Sequence, residues 1–208
     1  MRASTLLNIV LGAALIGVGA AWYSNRNAEG GTNGLSEADI VLKNIETRAT
    51  VRAFKKDPVP DKVVQQLLRA AMAAPTALNA QPWHFIVITD RGILSSLSVA
   101  SPHTGMLADA PLAIAVCGNT DKALQSAERV YWLQDVCAAT ENLLLAAHAL
   151  GLGATWTGSY PVEERYQVAK QVLALPDNIV PVSIVALGYP AVPVEPKDKW
   201  NEQNVSYQ

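Results

Sequence analysis

Residues 75–85, Pro-Thr-Ala-Leu-Asn-Ala-Gln-Pro-Trp-His-Phe, are the stretch of this chain best equipped to bind a small molecule. They connect a predicted helix to a predicted strand, where a short polar loop without an aromatic residue is usual. Asn79 and Gln81 each carry a carbonyl acceptor and an amide with two donor hydrogens. Such side chains suit the edge of a heterocycle that presents both donors and acceptors. A helix end followed by a proline-stiffened turn is the alternative interpretation.

A second group of residues predicts an anion site. Arg48 and Arg52 flank Ala49-Thr50-Val51 in a chain of which only 16% is charged. The guanidinium fork of arginine and the hydroxyl of Thr50 match the oxygens of a phosphate. The C-terminal segment Pro-Lys-Asp-Lys-Trp at 196–200 could close over the same anion. Solvated surface arginines and a solvated tail are the alternatives for these residues.

Three other kinds of site are not predicted. The histidines His84, His103 and His148 are scattered, and none stands near an acid or a thiol at the spacing of metal ligands. No Gly-x-Ser-x-Gly motif marks a hydrolase. Gly151-Leu152-Gly153 follows a helix, and Trp156 stands where a dinucleotide loop has its third glycine. No metal and no catalytic acid, base or nucleophile is therefore expected.

The composition indicates one well-filled domain. Half of the 208 residues are apolar and the net charge is −2. A chain without a basic excess is not expected to bind nucleic acid. Cys117 and Cys137 each fall in an apolar element, so two buried free thiols are expected.

Hydrophobic periodicity predicts the elements that must position the candidate site. A first helix begins at Ser36, which forms a capping box with Asp39, and Asp61 caps a second helix. The longest helix covers about residues 127–150 and ends at Gly151. Strands are predicted over residues 85–89, 112–116, 154–158 and 182–187, a further helix over 166–173, and an extended tail from 191. Helices and strands interleave without strict βαβ alternation, which favours an α+β fold.

The N-terminus carries an apolar segment that is separate from this domain. Residues 6–23 are almost entirely apolar, and their length lies between a signal-peptide core of about 7–15 residues and a membrane span of roughly 20. We predict a signal peptide or membrane anchor over residues 1–25, a linker over 26–35 and the domain over 36–208. The domain would then be exported or anchored in a bacterial cell envelope. It would be cytoplasmic if the segment is not a targeting signal.

Several motifs, in order along the chain, resemble the FMN-dependent nitroreductase family. They are Arg-Ala-Thr-Val-Arg-Ala-Phe at 48–54, Ala-Pro-Thr-Ala-Leu-Asn-Ala-Gln-Pro-Trp at 74–83, Asn-Leu-Leu-Leu-Ala-Ala-His-Ala-Leu-Gly-Leu-Gly at 142–153, Trp156, Leu-Gly-Tyr-Pro at 187–190, and Lys199. Each motif alone is weak, but the set matches in spacing from about residue 40 to 200. The resemblance implies a nitroreductase-like α+β fold with a central, mostly antiparallel sheet flanked by helices. It also implies an intertwined homodimer with an extended C-terminal tail.

The resemblance further implies a role for each matching residue in holding FMN at the subunit interface. Phosphate contacts are expected from Arg48, Thr50 and Lys199, with Ala49 offering only its backbone where the family usually has a polar or basic residue. The remaining expected cofactor contacts are Arg52 at the pyrimidine edge, Asn79 and Gln81 along the ring and ribityl chain, Pro75 and Thr76 from the partner subunit, Trp156, and the backbone of Thr157 and Gly158 near flavin N5. A cation near N1 would stabilise the charge of the reduced flavin.

The implied function is an FMN-dependent oxidoreductase. It would use NAD(P)H to reduce a nitroaromatic, a quinone or a similar small-molecule acceptor by ping-pong hydride transfer. NAD(P)H flavin reductase and other reductive chemistry on the same fold remain open, and so does a membrane-tethered, non-catalytic ligand-binding module. The apolar N-terminus and Lys199, where arginine is common, depart from the family pattern.

Overall fold

The computed structural model describes residues 34–208. The expected signal or anchor segment and residues 26–33 of the expected linker lie outside the described residues, so these assignments stay predictions. Contacts divide the chain into two compact units, Met1–Glu46 and Thr47–Gln208. Helix α1, Glu37–Thr47, begins in the first unit. Its capping box is confirmed, because the Ser36 amide donates to Asp39 Oδ2 at 3.0 Å and the Asp39 amide donates to Ser36 Oγ at 3.1 Å.

The second unit is built on one antiparallel sheet. Its strands are β1 (Trp83–Ile88), β2 (Leu112–Asn119), β3 (Gly153–Gly158) and β4 (Ile179–Gly188). The spatial order is β1-β2-β4-β3, so β1 and β3 are the edge strands. All three pairings are antiparallel, as expected for this α+β chain.

The central strands β2 and β4 are buried on both sides because helices cover both faces of the sheet. The helices are α2 (Asp61–Met72), α3 (Arg91–Ser98), α4 (Tyr131–Ala149) and α5 (Glu163–Val172). Alternate residues of β2 enter different cores. Leu112, Ile114 and Val116 join the cluster with α2 and α4, while Ala113, Ala115 and Cys117 join the cluster with α3 and α5.

Three predicted helix starts are wrong. Helix α5 begins at Glu163 rather than at residue 166. Pro60, not Asp61, occupies the N-cap position of α2, and no side chain caps it. Asp61 lies in the first turn, where a carboxylate still interacts favourably with the helix dipole. The longest helix begins at Tyr131, because Ser126–Val130 forms a separate 3-10 helix. Its predicted end is confirmed, since Gly151 has φ +74° and its amide donates to the His148 carbonyl at 3.0 Å.

The C-terminal tail runs along the surface. Residues 191–208 are all exposed, and their only helix is the 3-10 turn Glu202–Asn204. Within residues 34–208, none of the helices has the length and hydrophobicity that crossing a membrane requires.

Candidate functional site

A cavity of about 730 Å³ lies at the C-terminal end of β3. We call it the Arg52 cavity. Its lining comprises Arg52, Ser101, Pro102, His103, Gly105, Met106, Asp109, Thr155, Trp156, Thr157, Gly158 and Arg165. The structure therefore brings together four of the predicted site residues, Arg52 and the three at 156–158.

The edge of β3 that does not pair with β4 contacts residue 51 at its start and the Arg52 cavity at its end. The Val51 amide donates to the Ala154 carbonyl at 3.0 Å, and the Thr155 hydroxyl donates to the Val51 carbonyl. Because the Ala154 carbonyl points away from β4, and bonding directions alternate along a strand, the N–H groups of Trp156 and Gly158 point away from β4 as well. The amide of Thr157, in contrast, points toward β4. Of the two backbone positions predicted to contact a flavin, Gly158 is the one that can donate outward.

Gly158 is also open to a flat ligand. A Cβ atom built at Gly158 meets no atom within 4 Å, whereas one built at Gly153 would lie 2.5 Å from Cβ of Val51. The same strand thus has a glycine required for packing at its start and a glycine beside open space at its end. A planar group can approach the backbone of Gly158 without meeting a side chain.

The predicted anion residues are spread around the start of this strand. Arg48 Nε lies 3.4 Å from Glu141 Oε1, and the Arg48 side chain is only 19% exposed. Thr50 forms an isolated parallel bridge with Ala154. Ala49 lines a smaller cavity of about 220 Å³, and Lys199 lies in the exposed tail. None of the cavities described within residues 34–208 is lined by all four residues.

His148 is a packed residue beside Arg48. Its Nε2 lies 2.9 Å from the hydroxyl of Thr47. Burial, and then the positive charge of Arg48, lower the pKa of His148. The imidazole is therefore neutral near pH 7, as suits a structural role.

The amide loop, residues 75–81, has a different geometry. Leu78, Asn79 and Gln81 have φ of +49°, +55° and +48°. The Gln81 side-chain amide donates to Asn79 Oδ1 at 2.9 Å, and its backbone amide donates to Thr76 Oγ1 at 3.3 Å. Three left-handed non-glycine residues in a row of four are unusual.

Pro75 and Thr76 of the amide loop line a second cavity, of about 480 Å³, with Tyr131, Gln134, Asp135 and Ala138. Asp135 is buried, and its Oδ1 accepts from the Ala77 amide at 3.0 Å. This carboxylate fixes the loop to α4. It was missed in the sequence because a single acid within an apolar helix gives no positional signal.

His103 and Arg165 are the other site residues that the sequence did not reveal. In the sequence His103 is one of three scattered histidines, and nothing there distinguishes Arg165. Both line the Arg52 cavity, from the segment before β2 and from α5.

Thiol and metal chemistry find no support among residues 34–208. Both cysteines are free, and burial raises the pKa of Cys117 to about 12, so its thiolate does not form near neutral pH. Cys137 is only half-buried, and burial raises its pKa too. No three His, Cys, Asp or Glu side chains in the described part of the chain are grouped to hold a metal.

Comparison with known proteins supplies the family. A family model described as "Nitroreductase family" matches residues 45–189. A protein of Archaeoglobus fulgidus named "Putative NADH dehydrogenase/NAD(P)H nitroreductase" is 46% identical over 149 residues, which cover 72% of this chain and 84% of that protein. A crystal structure of the same name from Bacteroides thetaiotaomicron is 39% identical, with a TM-score of 0.77 over 83% of this chain and 98% of that one.

A third relative was solved with a ligand. The crystal structure described as a "putative nitroreductase in complex with fmn", from Desulfovibrio desulfuricans, is 29% identical to this chain. It superposes with a TM-score of 0.71 over 81% of this chain and 96% of its own. The family match and these likenesses confirm both the predicted fold and the predicted relationship: this chain belongs to the Nitroreductase family.

Proposed function

We propose that the chain is an FMN-dependent oxidoreductase that uses NAD(P)H to reduce a nitroaromatic, a quinone or a similar acceptor by ping-pong hydride transfer. The observation that carries the proposal is the Arg52 cavity, where an outward backbone N–H, open space at Gly158 and a guanidinium meet. The named activities of the relatives support the same assignment.

The residues present fit a flavin. An isoalloxazine ring is flat, accepts hydrogen bonds at its ring nitrogens and carbonyl oxygens, and becomes anionic when reduced. Gly158 offers a donor with no side chain in the way, and Arg52 offers a cation in the same cavity. A fixed cation and a fixed N–H stabilise developing negative charge without reorganisation. Asn79 and Gln81 supply further donors and acceptors for the ring and the ribityl chain.

The chemistry requires positioning rather than a titrating side chain. When bound, FMN would accept hydride from NAD(P)H and transfer it to the second substrate. The net reaction with a quinone is quinone + NAD(P)H + H⁺ → hydroquinone + NAD(P)⁺. Residues of the Arg52 cavity would hold the reacting molecules at one place and exclude water from it.

The phosphate of FMN would be held at the other end of the 48–52 segment. We assign it to Arg48, Thr50 and Lys199, with the backbone of Ala49. Arg48 is restrained by its ion pair with Glu141, whose side chain is 48% exposed. A phosphate, with its larger negative charge, could replace Glu141 as the partner of Arg48 or bind Arg48 together with it. Lys199 would have to approach from the exposed tail.

A homodimer would complete the site. Pro75 and Thr76 line a cavity of their own, with residues of α4, instead of the Arg52 cavity. We propose that a second copy of the chain places its Pro75 and Thr76 next to the flavin of the first. This assignment explains why the single chain divides the predicted contacts among separate cavities.

The experiment is a flavin titration of the purified full-length chain. We expect a yellow protein, or a colourless one that takes up added FMN, whose flavin absorption band is bleached by NADH or NADPH without oxygen. Adding a nitroaromatic or a quinone should restore the band. A protein that binds no FMN would contradict the proposal and favour a non-catalytic binding module.

A further inference from the structure

Arg165 and His103 line the Arg52 cavity and have no assigned role in holding the cofactor. We propose that Arg165 and His103 form an anion subsite there, for a carboxylate or phosphate group on the molecule that enters beside the cofactor. The inference rests on the proposed function and deepens it, because it assigns a chemical class to that molecule.

Arg165 presents a fixed positive charge without a counter-charge. It is half-buried, and none of the ion pairs or side-chain hydrogen bonds found within residues 34–208 involves its guanidinium. Helix α5 is held in place by Ala169, which is 1% exposed, and by the contact of the Tyr166 ring with the Tyr160 ring, whose centroids are 5.6 Å apart. A partly desolvated arginine gains more from an anion than a fully hydrated one.

The balance of charge in the cavity favours an anion. Among the described residues that line it, Arg52 and Arg165 are cationic and Asp109 is the one carboxylate. Asp109 is already paired, since Lys56 Nζ donates to its Oδ1 at 2.8 Å. Glu163 and Glu164 precede Arg165 on α5, but both are exposed and neither lines the cavity. The cavity is therefore positive in a chain whose net charge is −2.

The loop that carries Ser101 and His103 is held beside the same cavity by hydrogen bonds. Thr104 is 7% exposed, and its hydroxyl bonds the carbonyls of Ser98 and Ser101 at 3.0 and 2.7 Å. The Ser101 amide donates back to the same hydroxyl at 3.0 Å. These bonds hold Ser101 and His103 against the cavity, where a hydroxyl and an imidazole can add hydrogen bonds to an oxyanion.

The geometry also separates this subsite from the proposed phosphate site of FMN. Arg48, Thr50 and Ala49 do not line the Arg52 cavity, and Arg48 is oriented toward Glu141. We therefore assign Arg165 to the second molecule rather than to the phosphate of FMN. Its planar fork suits two-pronged binding of a carboxylate or a phosphate, which lysine cannot reproduce.

The test compares two nitro acceptors, one with a carboxylate and one with its uncharged methyl ester. We expect Arg165→Gln to lower the ratio of kcat/KM for 4-nitrobenzoate to that for methyl 4-nitrobenzoate by about tenfold, because a charge-assisted hydrogen bond is lost. The same ratio for Arg165→Lys should lie between that of Arg165→Gln and that of the unmodified chain. Arg69→Gln, an exposed arginine of α2 outside the cavity, should leave the ratio unchanged. A second arm measures kcat/KM for NADPH and for NADH. A fall confined to NADPH assigns the subsite to the 2′-phosphate of the donor, and an equal fall with both assigns it to the pyrophosphate.

Binding measured without turnover separates this inference from the proposed function. Calorimetric titration with benzoate should show about tenfold weaker binding to Arg165→Gln than to the unmodified chain. Benzoate binding that depends on Arg165 would support the subsite even in a protein that reduces nothing. The inference would be overturned if Arg165→Gln and the unmodified chain had the same benzoate affinity, the same ratio of kcat/KM for the two nitro acceptors, and the same kcat/KM for NADPH and for NADH.

Discussion

The end of β3 and the amide loop, the two regions proposed to contact FMN, differ in backbone conformation. Along β3 the chain pairs regularly with β4, and residue 51 pairs with its outer edge. In the amide loop, three of the four residues 78–81 are left-handed without being glycine. This conformation costs about 1–2 kcal/mol each at Leu78 and Gln81, whereas asparagine adopts it more readily. The backbone of β3 is thus unstrained, while the amide loop adopts a conformation that its residue types disfavour.

This difference indicates where the fold depends on packing and where it stores strain. Strained non-glycine residues persist only where their surroundings hold them, and they concentrate at binding sites. Here Asp135 and Thr76 hold the amide loop. We therefore expect mutations at β3 to separate into stability and binding effects, and mutations in the loop to change both together.

The largest expected effect is a contrast between two glycines of one strand. Gly153→Ala would place a Cβ within 2.5–2.8 Å of three side-chain atoms of Val51, which is buried and β-branched. We expect the free energy of unfolding to fall by about 3 kcal/mol, as measured by urea denaturation. Gly158→Ala has open space and should unfold like the unmodified chain, yet bind FMN more weakly because its methyl group occupies the approach to the backbone. Equal unfolding free energies for the two variants would contradict this division.

The next effect tests what holds the amide loop. Asp135→Ala leaves the partly buried amide of Ala77 without its acceptor, and we expect the free energy of unfolding to fall by about 1–2 kcal/mol. The matched variant Asp135→Asn keeps an oxygen at the same place and should lose less. Hydrogen exchange of the Ala77 amide should accelerate in the alanine variant. Unchanged exchange there would show that the loop is held by something else.

A smaller effect compares the charged Arg48, near the start of β3, with the neutral Asn79 in the amide loop. We expect Arg48→Ala to weaken FMN binding by over tenfold, about 1.4 kcal/mol, because hydrogen bonds from a charged donor to phosphate are the stronger kind. Asn79→Ala removes a neutral amide and should weaken binding less. Arg69→Ala serves as the control of equal charge change. If Arg48→Ala binds FMN as the unmodified chain does, its phosphate role is wrong.

The fold was predictable where one local rule dominates. The Ser36–Asp39 capping box, the left-handed Gly151 and the apolar strands follow from neighbours within four residues, and all are confirmed. The start of α4 was predicted too early because residues 126–130 take 3-10 geometry, which the apolar pattern does not distinguish from an α-helix.

The site was predictable only in part, because its geometry depends on distant partners. Arg48 pairs with Glu141, and Ala77 with Asp135, contacts that span 93 and 58 positions. Local patterns contain no information on such pairs. Arg165 reaches the cavity only because α5 packs beside the sheet. The strain at Leu78 was likewise hidden, since nothing in the sequence marks a leucine as left-handed.

The smallest effect asks whether the strain in the amide loop serves binding. Leu78 has φ +49° and is 83% exposed, so Leu78→Gly removes strain and loses little packing. Because the left-handed cost of about 1–2 kcal/mol exceeds the entropic cost of glycine, roughly 0.5–1 kcal/mol, the variant should unfold less easily by up to about 1 kcal/mol.

Ala174 is the matched control, because it is also exposed and left-handed, with φ +50°, but lies between α5 and β4 and lines no cavity described above. Ala174→Gly should gain a similar amount of stability and bind FMN unchanged. Leu78→Gly should gain stability and lose a few fold in FMN affinity, because the relaxed loop samples other shapes. If both variants bind FMN like the unmodified chain, the left-handed turn is a consequence of folding rather than a condition for binding.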